Sequence, residues 1–228
     1  MRRTVYCPHN YFLFALLFVV LLSVISLLLI GVVGKALQDV GFSPVMTATV
    51  LVLTFIGSYI NLPLVKMKTQ IPIIEETFVK FFGMVYRIPH VRYGEKTTMV
   101  AINVGGALIP VFISLYLLWK QPSTLPYAFV GIAIVSVVTH IIAKPVKGVG
   151  ITMPPFIAPL IAALLAYILP SGAPTIIAYV SGVLGTLIGA DVSKIHIIPK
   201  LGAPVTSIGG AGTFDGVFLS GIIAVLLL

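Results

Sequence analysis

The 228-residue chain is 59% hydrophobic and only 9% charged. Soluble domains carry about 25% charged residues, so this composition excludes an ordinary water-soluble globular protein. Segments that span lipid must satisfy their own backbone hydrogen bonds, and the continuous apolar runs of this chain favour helices over a closed barrel. The sequence therefore predicts a single integral membrane domain, residues 1–228, of the all-α polytopic class.

Seven apolar segments follow one another along the chain. The first follows Arg2 and Arg3 and is long enough to remain as an anchor, without the short apolar core of a cleaved signal peptide. A short turn is predicted at 34–41, and the last segment is shorter than the hydrocarbon core requires. The predicted spans are 11–33, 42–60, 100–119, 127–143, 153–169, 175–190 and 216–228.

A polar insertion, residues 61–99, separates the second and third spans. Val65–Thr69 alternates between apolar and polar residues, and 96–103 is rich in threonine and β-branched residues, so a small cytoplasmic hairpin is predicted. Between these two segments, Glu75–Tyr86 has the apolar pattern of an amphipathic helix. Its predicted apolar side consists of Phe78, Phe81, Phe82 and Val85.

The net charge of +8 is concentrated in segments that the predicted topology places on one side of the membrane. With the N-terminus in the cytoplasm, only Lys35 and Lys120 lie outside. This asymmetry follows the positive-inside rule, so the basic character needs no nucleic-acid partner. The sequence predicts a multi-pass protein of the cell membrane whose cytoplasmic basic residues are Arg2, Arg3, Lys66, Lys68, Lys80, Arg87, Arg92, Lys96, Lys144, Lys147, Lys194 and Lys200.

Two of the six acidic residues lie at the ends of consecutive spans. Asp191 ends the sixth span and Asp215 opens the seventh, so both fall at the cytoplasmic membrane face. Small residues recur every four positions beside each of them, at Ser181-Gly185-Gly189 and at Gly212-Gly216-Ser220. Such stripes let helices approach closely in lipid. If the stripes face each other, the two carboxylates come close together.

Paired carboxylates suit the chemistry of an aspartyl peptidase. One of them keeps a proton and acts as a general acid, while the other activates a water molecule. Asp191 and Asp215 are therefore the predicted catalytic residues, and a membrane protein is the predicted substrate. A small transporter that conducts an ion or a proton remains an alternative, because acids at membrane depth are also typical of transport.

Structural alternatives also remain open. Asp215 is placed to cap the seventh helix, and Asp191 to pair with Lys194 three residues on. A non-catalytic scaffold that binds a partner through 61–99 requires no chemistry at all. The chain has no H-E-x-x-H motif and no cysteine pair to support a metal site at His140 and His196, and no cofactor is predicted.

The glycine-rich segment from Leu201 to Gly216 connects the two aspartates. Ala203-Pro204 and Gly209-Gly210 forbid a regular helix here. Irregular backbone at membrane depth typically lines a cavity, so the segment is predicted to form a substrate or ion site, with a surface loop as the alternative. The predicted substrate contacts are Gly189, Pro204, Gly209, Gly210, Gly212 and Thr213.

The same segments resemble a prokaryotic family labelled domain of unknown function 1614. The resemblance rests on Leu187–Asp191, Leu201–Pro204 and Ser207–Gly216, and it extends to Gly57–Asn61. It implies a polytopic membrane protein and implies no activity. A looser similarity is to the GxGD intramembrane aspartyl proteases, which place an aspartate directly after Gly-x-Gly and a partner aspartate on a neighbouring span.

Overall fold

A computed structural model gives the fold and describes residues 8–81, 84–146, 150–211 and 215–228. These residues form seven α-helices and five strands. The helices are α1 (Pro8–Asp39), α2 (Pro44–Gly57), α3 (Ile109–Lys120), α4 (Leu125–Ile142), α5 (Ile157–Ile168), α6 (Pro174–Thr186) and α7 (Gly216–Leu226). The strands are β1 (Asn61–Phe81), β2 (Met84–Asn103), β3 (Lys144–Val146), β4 (Gly150–Thr152) and β5 (Val205–Ile208).

The apolar helices mark the chain as a membrane protein. Three helical segments of the described chain are long and apolar enough to cross a bilayer: Leu13–Asp39, Pro122–Ile142 and Pro174–Pro199. The remaining four apolar helical segments are shorter, and α7 has only 11 residues. At 1.5 Å per residue, α7 extends about 17 Å, which is well short of a hydrocarbon core of about 30 Å. The number of seven crossings stays a prediction.

The turn predicted at 34–41 is wrong over most of its length. Helix α1 continues to Asp39, because the lone glycine at position 34 does not break it. Lys35 and Asp39 lie one helical turn apart on the surface of α1 and form an ion pair that supports its last turn. The chain reverses only at Gly41, whose φ of 104° is readily adopted by glycine alone.

The core of the helical part lies around α6. Eight consecutive residues, Ile176–Val183, are buried, so α6 is enclosed on every side. It packs against α3, α4, α5 and α7. The N-terminal part of α1 is exposed all round, as expected for a helix whose neighbour is lipid. Asp191 follows α6 by a few residues, so the best-packed helix of the fold leads directly into the segment that carries this aspartate.

Two sheets accompany the helices. Strands β1 and β2 form an antiparallel hairpin, and β5 adds in parallel to β2 at Met99–Ile102, which gives the order β1-β2-β5. Strands β3 and β4 form a separate two-stranded sheet. The predicted hairpin is confirmed, but its strands have 21 and 20 residues, so it is not small. A purely α-helical class is too narrow a description.

The amphipathic helix predicted at Glu75–Tyr86 is wrong, because both halves of the segment are strand. Aromatic and β-branched residues are frequent here, and such residues favour strands when a partner strand supplies the hydrogen bonds. Arg87 lies opposite Phe78 in the register, 5.5 Å from its ring, and its guanidinium is 3.7 Å from Glu76. Phe82 lies outside the described residues.

Hairpin and helices are joined through Asn103, the last residue of β2. Its buried side-chain amide donates to the carbonyl of Ser58 at 2.8 Å and to Asn61 Oδ1 at 3.1 Å. Its own Oδ1 accepts the backbone N–H of Gly106, in a π-helical turn that leads into α3. The predicted third span therefore begins about four residues too early, because Val100–Asn103 is strand.

Candidate functional site

Asp191 and Asp215 line one cavity of about 430 Å³. Both side chains are partly buried. The cavity falls in the size range of small-molecule and peptide pockets. A larger groove of about 590 Å³, near the start of α5, includes neither carboxylate. The shared cavity is therefore lined by acidic residues from two consecutive helix ends.

Asp191 lies in a distorted continuation of α6. The helix widens into a π-helical turn, Leu187–Asp191, and then tightens into a 3-10 helix, Val192–Leu201. A π-helical turn interrupts the regular hydrogen-bond ladder and is frequent at functional sites. The carbonyl of Gly185, just before this turn, accepts the hydroxyls of Thr139 and Ser136 of α4 at 3.1 and 3.2 Å. The distorted turn is thus held in place from α4.

The small-residue stripe of α6 faces α4. A Cβ atom added to Gly185 or Gly189 would overlap atoms of α4, so only glycine permits this approach. Helix α7 meets α6 at Gly182 instead, whose carbonyl accepts the Ser220 hydroxyl at 2.7 Å. The expectation that the two stripes face each other is therefore wrong. Both carboxylates line the cavity because consecutive helix ends converge on it, and α4 packs against the segment that carries Asp191.

The residues after Asp191 are fixed to the end of α4. The buried ammonium of Lys194 donates to the carbonyl of Ala143, next to the C-terminus of α4, where the helix dipole favours a cation. Ser193 Oγ lies 2.7 Å from His140 Nδ1, within hydrogen-bonding distance. The proposed ion pair of Asp191 with Lys194 is therefore wrong, since the lysine bonds to α4.

Asp215 is the N-cap of α7, as the structural alternative expected. Its Oδ1 accepts the backbone N–H of Val217 at 2.9 Å. Burial raises the pKa of the Asp215 carboxyl, while hydrogen bonds from the backbone N–H groups of Val217 and Ala211 lower it in part. Because burial is the larger effect, this carboxyl holds a proton more readily than an exposed aspartate does.

Strand β5 and the turn after it form one wall of the cavity. Val205–Ala211 all line it, so Gly209 and Gly210 do as well. Gly209 has a φ of 70°, and a Cβ atom there would lie 2.7 Å from Ala107. Both facts require glycine at this position. Within the segment that was expected to be an irregular loop, Val205–Ile208 is therefore a strand and 209–211 is a tight turn, packed on the π-helical turn that leads into α3.

In the comparisons with known proteins, the chain matches one protein family. The family described as "Protein of unknown function (DUF1614)" matches residues 55–227, about three quarters of the chain. The chain belongs to this family. None of the curated proteins and none of the solved structures matches it. The DUF1614 range includes the hairpin, β5 and both aspartates, and it omits all of α1 and most of α2.

Not all of the residues of the DUF1614 range that were predicted to contact substrate are found to line the cavity. Gly189 packs on α4, and the carbonyl of Pro204 accepts the N–H of Met99; neither residue lines the cavity. Gly212 and Thr213 lie outside the described residues. The cavity thus draws its wall from β5 and the following turn more than from the glycine stripes.

The cavity also depends on residues that the sequence did not single out as part of a site. Ser207 of β5 donates to Asn61 Oδ1 at 2.6 Å, and Thr98 donates to the carbonyl of Ala203 at 2.8 Å. These bonds fix β5 to the hairpin. Asn61 already belonged to the segment that resembles the family, whereas Gly150 and Ile151 of β4, which also line the cavity, carry no sequence signal.

Proposed function

We propose that the chain is a multi-pass membrane peptidase of the aspartyl type, with Asp191 and Asp215 as its catalytic pair. The observation that carries the proposal is the single cavity that both carboxylates line. Two carboxylates that share a cavity are favoured to hold one proton between them, because two like charges at close range repel. Burial, which raises the pKa of Asp215, also favours a protonated carboxyl at this site.

The reaction follows from these two groups. The ionised carboxylate removes a proton from a water molecule, whose oxygen attacks the carbonyl carbon of the scissile peptide bond. The protonated carboxyl gives its proton to the carbonyl oxygen, which produces a gem-diol. The carboxyl that received the proton from water then gives it to the amide nitrogen, the C–N bond breaks, and the other carboxylate takes a proton back from one of the gem-diol hydroxyls. A new acid and a new amine leave, and the pair again holds a single proton.

The lining of the cavity supports a peptide as the substrate. Apart from the two aspartates, the residues that line it are uncharged, and several are aliphatic: Ile151, Ile198, Leu201, Val205 and Ile208. An aliphatic wall favours uncharged side chains beside the scissile bond, as found in membrane-protein segments. The same wall would weaken the binding of a hydrated ion, so the peptidase is favoured over the transporter.

The test compares single Asp→Asn variants of the full-length protein in lipid nanodiscs. Asp191→Asn and Asp215→Asn are each expected to abolish cleavage of single-span membrane substrates, followed by mass spectrometry, because each removes one half of the acid–base pair. Asp39→Asn, an acid that is paired with Lys35 on α1, is the matched control and should cleave like the wild type. Wild-type cleavage in either cavity variant contradicts the proposal, and so does a proton flux into proteoliposomes without any cleavage.

A further inference from the structure

We propose that the cavity binds its ligand as an extended strand that lies between β5 and β4 and pairs with the backbone of both. The inference deepens the peptidase proposal, on which the identification of the ligand as a peptide rests. Strand β5 is the edge of the three-stranded sheet, and β4 belongs to the separate two-stranded sheet. Both strands line the cavity with the two aspartates, so an open edge from each sheet is available to it.

The backbone of β5 offers a donor on its open edge. The carbonyl of Pro204 accepts the N–H of Met99, so it points at β2. In a trans peptide unit the carbonyl and the following N–H point in opposite directions, and the described chain has no cis peptide bonds. The N–H of Val205 therefore points away from β2. Val205 is itself a lining residue of the cavity.

The backbone of β4 offers an acceptor. Ile151 lies opposite Pro145 in the β3–β4 register. Proline has no N–H, so Pro145 and Ile151 form a non-hydrogen-bonded pair of the antiparallel ladder, and the carbonyl of Ile151 points away from β3. Ile151 also lines the cavity. A donor on one sheet edge and an acceptor on the other are the groups to which an added strand bonds in β-augmentation.

The chemistry of the surroundings selects the occupant. An extended segment presents alternate side chains to opposite faces, and the wall offers it aliphatic residues. The aspartates repel acidic residues in the same segment. The site therefore fits an uncharged peptide strand of Val, Ala, Ile or Ser residues, whose scissile carbonyl would be carried past the two carboxylates.

The experiment separates binding from cleavage. The full-length Asp191→Asn/Asp215→Asn double variant, in nanodiscs, is titrated with a short fluorescent peptide of Val, Ala and Ser and with copies that carry one N-methylated amide each. Strand pairing on both sides predicts that methylation of a central amide weakens binding about tenfold, the effect of one lost hydrogen bond, whichever edge the amide faces, and that methylation at the ends of the peptide changes little. Val205→Pro, which removes the outward N–H of an edge strand, should weaken the unmodified peptide by a similar factor.

Each outcome bears on one proposal. Affinities for all methylated peptides that equal the affinity for the unmodified peptide overturn the strand inference, and because that comparison varies only the peptide, it holds even if Val205→Pro fails to fold. Weakening by central methylation with no cleavage by the wild type keeps the strand site and overturns the peptidase. Cleavage with no effect of central methylation keeps the peptidase and overturns the strand. The specificity is tested with the single variant Asp215→Asn, which keeps the Asp191 carboxylate: a peptide with an aspartate at its centre that binds this variant as tightly as the uncharged peptide does overturns the stated specificity.

Discussion

Asp215 serves two purposes with one carboxyl group. One oxygen accepts the N–H of Val217 and begins α7, while the side chain also lines the cavity beside Asp191. An N-cap needs only an acceptor, and asparagine serves about as well as aspartate. Proton transfer needs an ionisable group. The structural role and the proposed chemical role of Asp215 are therefore separable by choosing the replacement.

Asp215→Asn is expected to keep the stability of the fold, whereas Asp215→Ala should lower the free energy of unfolding by about 0.5–2 kcal/mol through loss of the cap. Both variants should lack cleavage. Thermal unfolding in detergent and the nanodisc cleavage assay measure the two effects. If alanine and asparagine destabilise the protein equally, the cap contributes nothing; if asparagine retains cleavage, the carboxyl has no chemical role.

At the scale of the elements, the packing of α4 against the end of α6 sets the position of Asp191. Gly189 allows the contact, and the Thr139 and Ser136 hydroxyls satisfy the Gly185 carbonyl before the π-helical turn. Helices in lipid associate through such close contacts and hydrogen bonds rather than through the hydrophobic effect. A residue that forces these two helices apart should therefore displace the aspartate.

Gly189→Ala tests this arrangement, because its Cβ atom would overlap Thr139 and Ser136. Overpacking of this kind typically costs about 1–3 kcal/mol, and we expect cleavage to fall together with stability. Gly31→Ala is the matched control, since a Cβ atom there meets nothing within 4 Å. An unchanged melting temperature and cleavage rate for Gly189→Ala would show that α4 does not fix the site.

The hairpin has two parts with different expected roles. Its base pairs with β5 at Met99–Ile102 and so supports the cavity. Its strands extend about 70 Å at 3.3 Å per residue, far beyond that pairing. Deleting 61–99 to test the scaffold alternative would also remove the start of the segment that pairs with β5. A shorter deletion avoids this problem.

Replacing residues 72–93 by Asn-Gly joins Ile71 to Gly94, which lie opposite each other in the register, through a two-residue turn. We expect the shortened protein to fold and to cleave like the wild type, because the base of the hairpin and β5 are retained. Affinity purification from membranes measures whether a partner is lost. Loss of a partner, with the two Asp→Asn variants fully functional in cells, would favour the scaffold over the peptidase.

The sequence predicts the apolar helices well and the strands around the site poorly, for physical reasons. Long apolar runs such as Leu13–Asp39 leave few options in lipid. Strand β5 depends on a partner more than 100 residues away, so Val205–Ile208 has no local signal. The apolar residues of Glu75–Tyr86 fit both the period of a helix and that of a strand, and only the pairing of β1 with β2 decides that the segment is strand. The pair of aspartates could be predicted because acidic residues are rare in this chain, whereas the strands beside the aspartates could not be predicted.

At the scale of the whole molecule, charge placement predicts which side of the membrane the site faces. Asp191, Asp215 and the base of the hairpin adjoin one cavity, and the predicted cytoplasmic side holds 12 of the 14 lysines and arginines. An N-terminus in the cytoplasm places that cavity and the basic segments on the same side. The predicted orientation rests on the positive-inside rule alone, because the convergence of the helix ends does not distinguish the two sides of the membrane.

Cysteine labelling in intact cells tests the orientation. Cys7 is the only cysteine, so a Cys7→Ser background permits single cysteines at two exposed positions, Ser123→Cys between α3 and α4 and Thr152→Cys at the end of β4. Neither substitution changes a charge. A membrane-impermeant maleimide should label position 123 in intact cells and position 152 only after permeabilisation, because α4 is predicted to cross the bilayer between them. Labelling at both positions in intact cells would contradict the crossing, and the reverse pattern would place the cavity outside the cell.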